Sequence, residues 1–571
     1  MKSVPRRVRR WPHGPSSIPE LFRAVVIVLI LAVLIVAPLV MLVIGAFRDK
    51  APGFPNASWT LANLAVFATP YFWTIFGNSL LIAVVTTALS IVVGSVLAFI
   101  TAKVEISRPS LWDGLIMIPA YIAPFISAVA WTLLLAPKNG ILNAWLAHVG
   151  LGLDIYSYSG IILVLTLSLT PIVYLFIKPS IARLDRSLEE SGRVYGGSFG
   201  YILRTLILPM MIPAIIASAT AVFVLSMSDF GVPGVLGSPA NIDVMATQIV
   251  LDYQQAPYKP NEAALLGVAL ALFTVVGMYV GNRLSRKRDY SQYAGFASQP
   301  SKLRLRGWTW VAYLILVTYL VIGVVLPVGA VLIGSFEPFI STSLGHIAWT
   351  LDNYKFVFSD PNASLAVVNS IVLSVGATIA CAILGVTISY MARRGKQRWV
   401  RLLEYVANIP MSIPSTVIGL GLIWFWLPLH AGVYSTMWIM FFAYIAIGLP
   451  YAVRPISASL LLSDEGQEDA ARLMGGSWFY TMRRVVIPTL RGSILSGGIA
   501  VFYHMLRELP ASLLLVTPAS VVLATLIWDR YVEGEFPTLL AAAAVIGVLT
   551  TIVVAIGNVL TRDKSGLVGR A

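Results

Sequence analysis

From Ala24 to Phe47 the chain runs 24 residues without a charged side chain, and about 20 in a helix suffice to cross the hydrocarbon core of a bilayer. Stretches free of Asp, Glu, Lys and Arg recur at 78–102, 114–137, 155–177, 205–228, 263–282, 307–336, 365–391, 405–429, 431–453, 492–506 and 536–560. The one beginning at Gly492 is expected to continue past Arg507 to Leu515. Only 12% of the 571 residues are charged, against roughly a quarter in soluble domains. Lipid is therefore the solvent for most of this surface. The fold class expected is an all-α polytopic membrane protein with about twelve transmembrane helices.

Arg6, Arg7, Arg9 and Arg10 precede the first apolar stretch. That stretch is too long for the core of a cleaved signal and no small-residue cleavage site follows, so a retained first helix is expected. The single cysteine, Cys381, lies within a predicted span. It excludes an intrachain disulfide and reads as a packing residue. The net charge of +14 raises the question of nucleic acid, and its distribution argues against it. With the N-terminus in the cytoplasm and twelve crossings, seven basic residues fall outside or near outer ends: Arg48, Lys50, Lys138, Lys259, Lys355, Arg507 and Arg530. The rest lie inside or at inner ends. The excess charge thus fixes topology. Both termini are expected in the cytoplasm.

The second half of the chain echoes the first. LAVLIVAPLVMLVIGAFRD and YLVIGVVLPVGAVLIGSFEP align Pro38 with Pro327 and Phe47 with Phe336. An external Trp-Thr-Leu-x-Asn follows each, at Trp59 and Trp349. Asn78-Ser79 and Asn369-Ser370 each open a second helix, and IPAYIAP from Ile118 matches IPMSIP from Ile409. These pairs imply a tandem duplication into two parallel six-helix repeats, residues 1–282 and 308–571. A polar, basic linker at 283–307 joins them as a flexible cytoplasmic tether. Two like halves about one axis suggest a pathway at their interface, as in a transporter.

The loops between the fourth and fifth spans carry the most specific signal. Half one reads LEESGRVYGGSFGYILRTLILPMMIPAI and half two QEDAARLMGGSWFYTMRRVVIPTLRGSI. They pair Glu189 with Glu468, Arg193 with Arg472, Gly196-Gly197-Ser198 with Gly475-Gly476-Ser477, and Pro209 with Pro488. These loops resemble the EAA loop of binding-protein-dependent ABC importer permeases: an acid, two small residues, three more, glycine, nine more, then an aliphatic-x-aliphatic-Pro ending. Half one supplies Glu190, Ser191, Gly192, Gly196 and Pro209, and half two Asp469, Ala470, Ala471, Gly475 and Pro488. Ser-Gly replaces Ala-Ala in the first half and Asp replaces Glu in the second. The resemblance implies that each loop couples to one of two ATPase subunits, and that a periplasmic or extracellular substrate-binding protein delivers the cargo. Small residues let a short surface helix approach its partner closely, and the glycine admits a sharp turn.

No G-x-x-x-x-G-K-[ST] phosphate cradle occurs in the chain. The permease is therefore expected not to be an enzyme and to carry no cofactor, with ATP and Mg²⁺ held by the partner ATPase. Gly196-Gly197-Ser198-Phe199-Gly200 fits G-x-S-x-G, but a nucleophile elbow needs a preceding strand, which this loop does not provide.

Asp229 and Glu508 each fall twenty residues after a loop proline, and His504 sits one helical turn before Glu508. Ionisable groups within spans are candidates for a translocation path; the plainer reading places them at outer helix ends in interfacial water. The surrounding SMSDFGVPGVLG and RELPASLLL, with downstream ATQI and LATLIWDRYVEGEFP, are similar to the fused ferric-iron permeases. That likeness implies an inner-membrane importer for ferric iron, and 2-aminoethylphosphonate, thiamine or polyamine stay open as cargo. A metal site in the chain itself is not legible. A secondary active transporter also fits twelve spans in two halves, but it predicts no paired loops of this kind.

Overall fold

The computed structural model describes residues 18–148, 150, 152–182, 194, 196, 198–286, 307–340, 348–395 and 398–562. Among the described residues every regular element is a helix. Ten helices are each long and apolar enough to cross a bilayer: α1 (Phe22–Ala46), α2 (Pro70–Lys103), α4 (Tyr158–Ala182), α5 (Leu208–Met227), α6 (Pro260–Ser285), α7 (Thr309–Ser335), α8 (Pro361–Arg394), α10 (Met437–Leu462), α11 (Trp478–Leu506) and α12 (Phe536–Gly557). Two bent pairs complete the set. α3 comprises Pro109–Tyr121 and Pro124–Leu135, bent by 92°, and α9 comprises Arg401–Ser412 and Ser415–Leu429, bent by 112°.

Hydrogen bonds decide whether the bent pairs cross. Cys381, Ser389 and Arg393 of α8 reach Ile445, Val453 and Ser457 of α10, each 64 residues on. A constant offset means that α8 and α10 run in the same direction, so the chain between them must return the full length, and α9 is what returns it. In the first half, Tyr158 bonds Asn78 near one end of α2 and α4, and Thr101 bonds Tyr174 near the other. α3 is therefore a crossing too. The described residues make twelve passes, with each bent pair counted as one, and the two halves are parallel repeats, as the sequence pattern predicts.

The uncharged stretches at 114–137 and 405–429 are both broken within the span. Pro124 and Pro414 lack the amide that would continue the first segment, and proline displaces the residue before it from helical geometry. The stretch from Gly492 does not run on to Leu515 either: α11 ends at Leu506, and a separate short helix, Pro510–Leu515, follows. Asn78 and Asn369 do not open their helices, which start about two turns earlier at Pro70 and Pro361. Thr69 and Asp360 cap these starts by accepting backbone N–H bonds. The expected linker also begins later, because the last helix of the first half continues to Arg286. Polar side chains past the apolar stretch do not end a helix whose backbone bonds remain internal.

Four other prolines leave helices continuous. The amide just before each reaches five residues back: Ala37 to Ala32, Leu326 to Val321, Leu208 to Leu203 and Ile487 to Met482. One widened turn moves aside the carbonyl that the ring of Pro38, Pro327, Pro209 or Pro488 would strike. The bulges occur at matching places in both halves.

The first helix of each half packs on the other half. A Cβ on Gly45 of α1 would lie 2.6 Å from the Trp424 ring of α9, and one on Gly421 would lie 2.9 Å from the carbonyl of Pro38. Reciprocally, a Cβ on Gly334 of α7 would lie 3.8 Å from Leu133 of α3 in the first half, besides 2.5 Å from Leu540 of α12 in its own half. Lipid gives helices no hydrophobic drive to associate, so close approach through glycine supplies the dispersion contact that joins the halves.

Candidate functional site

The Gly-Gly-Ser loops and the Trp-Thr-Leu-x-Asn hairpins lie at opposite ends of the spans. In the second loop, Gly466–Leu473 forms a two-turn helix. Gly475 follows at φ +83°, and Gly196 takes φ +81° in the first loop. A Cβ at either would meet nothing within 4 Å. Glycine is required there by the left-handed backbone, not by crowding. Ser477 and Ser198 then cap the next helix by accepting from Tyr480 and Tyr201. Pro488 sits just beyond the widened turn Met482–Val486 within α11, and Pro209 just beyond Leu203–Ile207, which leads into α5. Glu190, Ser191 and Gly192 lie outside the described residues.

Asp469 is exposed and pairs with Arg472 at 3.6 Å; Ala470 is exposed and Ala471 half-buried. The buried acid is its neighbour Glu468, 5% exposed. Its carboxylate accepts from Arg394 Nε at 3.0 Å and from the Tyr390 hydroxyl at 2.9 Å. Around this anchored helix the surface is apolar and open: Leu473 and Met474 are 88% and 90% exposed, with Phe479 also bare, and in the first loop Val194 is 84% exposed.

Asp229 and Glu508 occupy matching places after α5 and α11. Asp229 Oδ1 accepts from the Val232 amide at 2.8 Å, and Glu508 Oε1 accepts from the Ala511 amide at 3.1 Å. Each caps the short buried turn that follows, Pro233–Gly237 or Pro510–Leu515. His504 Nε2 meets the hydroxyl of Tyr451, and its ring stacks on Tyr503 at 6.0 Å. Tyr451 is the fifteenth residue of the 26 in α10, so this cluster lies at mid-depth. That corrects the expectation for Arg507, placed near an outer end by sequence.

Arg507 Nη1 donates to the carbonyls of Ala120 and Ile122 in the first half. Its guanidinium lies 5.1 Å from the Tyr503 ring, and Tyr121 meets Tyr503 edge-on at 5.7 Å. The site is one-sided. The 279-residue offset that pairs Pro209 with Pro488 puts Val224, Leu225 and Ser228 opposite Tyr503, His504 and Arg507. Duplication gave the halves one backbone, but at these three positions only the second carries aromatic and ionic groups to the seam. Sequence reasoning named Asp229, Glu508 and His504 but not Arg507 as a bridge. The available signal was Pro124, which has no N–H for the Ala120 carbonyl. Among the described residues, no three His, Cys, Asp or Glu gather where they could hold a metal ion.

Two parallel six-span repeats, swapped first helices and paired Gly-Gly-Ser loops define the membrane subunit of an ATP-driven importer. Residues 90–290 and 382–565 match the family described as "Binding-protein-dependent transport system inner membrane component", and the chain belongs to that family. It is a transmembrane permease of the ATP-binding-cassette class, whose members work in the inner membrane with a substrate-binding protein and an ATPase. Among its relatives is "Ferric transport system permease protein FbpB" of Actinobacillus pleuropneumoniae, 24% identical over 534 residues, 91% of this chain and 75% of the relative. "Fe(3+)-transport system permease protein FbpB 2" of Haemophilus influenzae is 23% identical over 82% of this chain and 86% of its own length. "Spermidine/putrescine transport system permease protein PotB" of Salmonella typhimurium is 27% identical over 47% of this chain and 96% of its own length.

Proposed function

We propose that this permease imports ferric iron, with two ATPase subunits, one seated on each Gly-Gly-Ser loop. The observation that carries the cargo assignment is extent: a relative named for ferric transport aligns over 91% of this chain, through both halves. The polyamine relative is a shorter chain, matched over 96% of its own length and 47% of this one. The bare apolar surface of Leu473, Met474 and Phe479 supports docking of a soluble protein. The basic residues on that face support a cytoplasmic location for it and for both termini. ATP and Mg²⁺ belong to the ATPase partners, and this chain has no phosphate-binding loop of its own.

In the cycle so proposed, a loaded binding protein docks on the outer hairpins, ATP closes the ATPase pair, and the two loops carry that motion into the halves. The seam at Arg507 is where the halves must part. The permease holds no cage of carboxylates and imidazoles among its described residues, which supports leaving cargo selection to the binding protein. Uptake of radiolabelled ferric iron by a deletion strain and its complemented parent tests the assignment, with spermidine, thiamine and 2-aminoethylphosphonate assayed alongside. Iron uptake that needs both this chain and ATP is expected. A defect in one of the organic solutes alone would move the cargo to that solute.

A further inference from the structure

The helix Gly466–Leu473 has eight residues, and isolated helices shorter than about 12–15 residues are marginal in water. With Leu473 and Met474 bare, little apolar burial holds it. Ionic contact with the end of α8 does. Every nitrogen of the Arg394 guanidinium is engaged: Nε with Glu468 at 3.0 Å, Nη1 with Glu465 at 2.6 Å, and Nη2 with the Ser463 hydroxyl at 2.9 Å and the Ser463 and Leu460 carbonyls. The planar fork therefore ties four points, and the geometry is over-determined in a way that a lysine could not reproduce. Glu468 in turn accepts from Tyr390, one turn back along α8, and Arg472 donates to the same hydroxyl at 2.8 Å.

α8 carries this anchorage across the protein. It is 34 residues long, about 50 Å at the helical rise. It is bonded to α10 in constant register. Near its far end Asn369 donates to the carbonyls of Ala519 and Val521, and Ser370 accepts from the Leu523 amide. A displacement of the short helix is thereby passed along one rod to the opposite face.

We propose that Glu468, clamped by Arg394 and Tyr390, is the positioning residue that transmits movement of the second loop to α8 and so to the outer end of the permease. It is not the acid that the loop pattern singles out, Asp469, which is exposed. The first half differs in residue type here: the 291-residue offset of Asn78 and Asn369 places Phe99 and Lys103 where the second half has Tyr390 and Arg394. The inference rests on the reading that residues 466–475 meet an ATPase.

The test uses the permease assembled with its ATPase in proteoliposomes. Spin labels go on Trp73→Cys and Leu365→Cys at the outer ends of α2 and α8, both exposed, while Cys381 is fully buried. The distance between labels is measured with and without ATP and vanadate. Glu468→Gln is expected to keep the ATPase bound and hydrolysing, yet to lose at least half of the ATP-driven distance change. Arg394→Gln should behave alike, and Arg394→Lys should recover part of the change. A full distance change in Glu468→Gln overturns the proposal. So does loss of the ATPase from that variant, which would mean that Glu468 only holds the loop folded. Leu473→Asp with Met474→Asp is the control for docking: if it retains the ATPase, the docking reading fails and the link with it.

Discussion

Arg507, one residue past the end of α11, donates across the seam to the carbonyl of Ala120, in the break of α3. The carbonyl is available because residue 124, which would supply its helical donor, is a proline. Arg507→Met leaves that acceptor unsatisfied at mid-depth, and a buried orphan costs about 1–3 kcal/mol. A lowered unfolding midpoint in detergent is expected for Arg507→Met. Ser228→Ala, its counterpart in the first half, should show a change several times smaller.

Asp229 and Glu508 cap helices through oxygen atoms that an amide also offers. Asp229→Asn with Glu508→Gln should therefore preserve folding, whereas alanine at either site costs about 1 kcal/mol. If their charge serves the cargo, uptake by the amide double variant falls at least tenfold. Wild-type uptake would confine both acids to capping.

Gly196 and Gly475 hold the left-handed backbone that turns each loop into the next helix. A residue with a Cβ pays about 1–2 kcal/mol in that conformation. Gly196→Asp with Gly475→Asp is expected to abolish uptake while membrane insertion, followed by fractionation, stays intact. Normal uptake would remove both loops from the coupling path.

Two glycines in first helices separate packing from backbone freedom. A Cβ at Gly45 would press on the Trp424 ring, but one at Gly329 meets nothing within 4 Å. Gly45→Ala should destabilise the permease by about 1–3 kcal/mol. Gly329→Ala should be neutral or slightly stabilising, since alanine favours helix. Equal melting behaviour of the two variants would contradict the swapped packing.

Asp252 lies on the short helix Met245–Gln254, outside the twelve spans. Burial, with Glu262 nearby, pushes its carboxyl up to about 6, although a bond from Gln248 opposes this. A carboxyl raised on folding favours the folded state only while it is protonated. That contribution is complete below the unfolded value of 3.8 and is lost as pH rises through about 6. Asp252→Asn should flatten the decline in thermal midpoint between pH 4 and 6.5. An unchanged slope would assign the decline to other groups.

The number of crossings, the duplication, and the glycines and prolines of the paired loops were legible in the sequence. Each is written in local terms: uncharged length, a repeated order of residues, or a backbone that only glycine or proline satisfies. The breaks in α3 and α9 were half-legible, because Pro124 and Pro414 stand in the sequence while a bend of 92° or 112° depends on what the second segment packs against. Three things were decided only by tertiary structure: the exchange of first helices, the bridge from Arg507 to Ala120, and the choice of Glu468 over Asp469 as the buried acid. Each joins residues from separate helices, through a guanidinium or a glycine surface whose partner no local pattern specifies. Hydrophobic length places a helix in the bilayer, but lipid wets all its faces alike, so which face meets which neighbour is settled by shape and by the few polar groups that must find a partner.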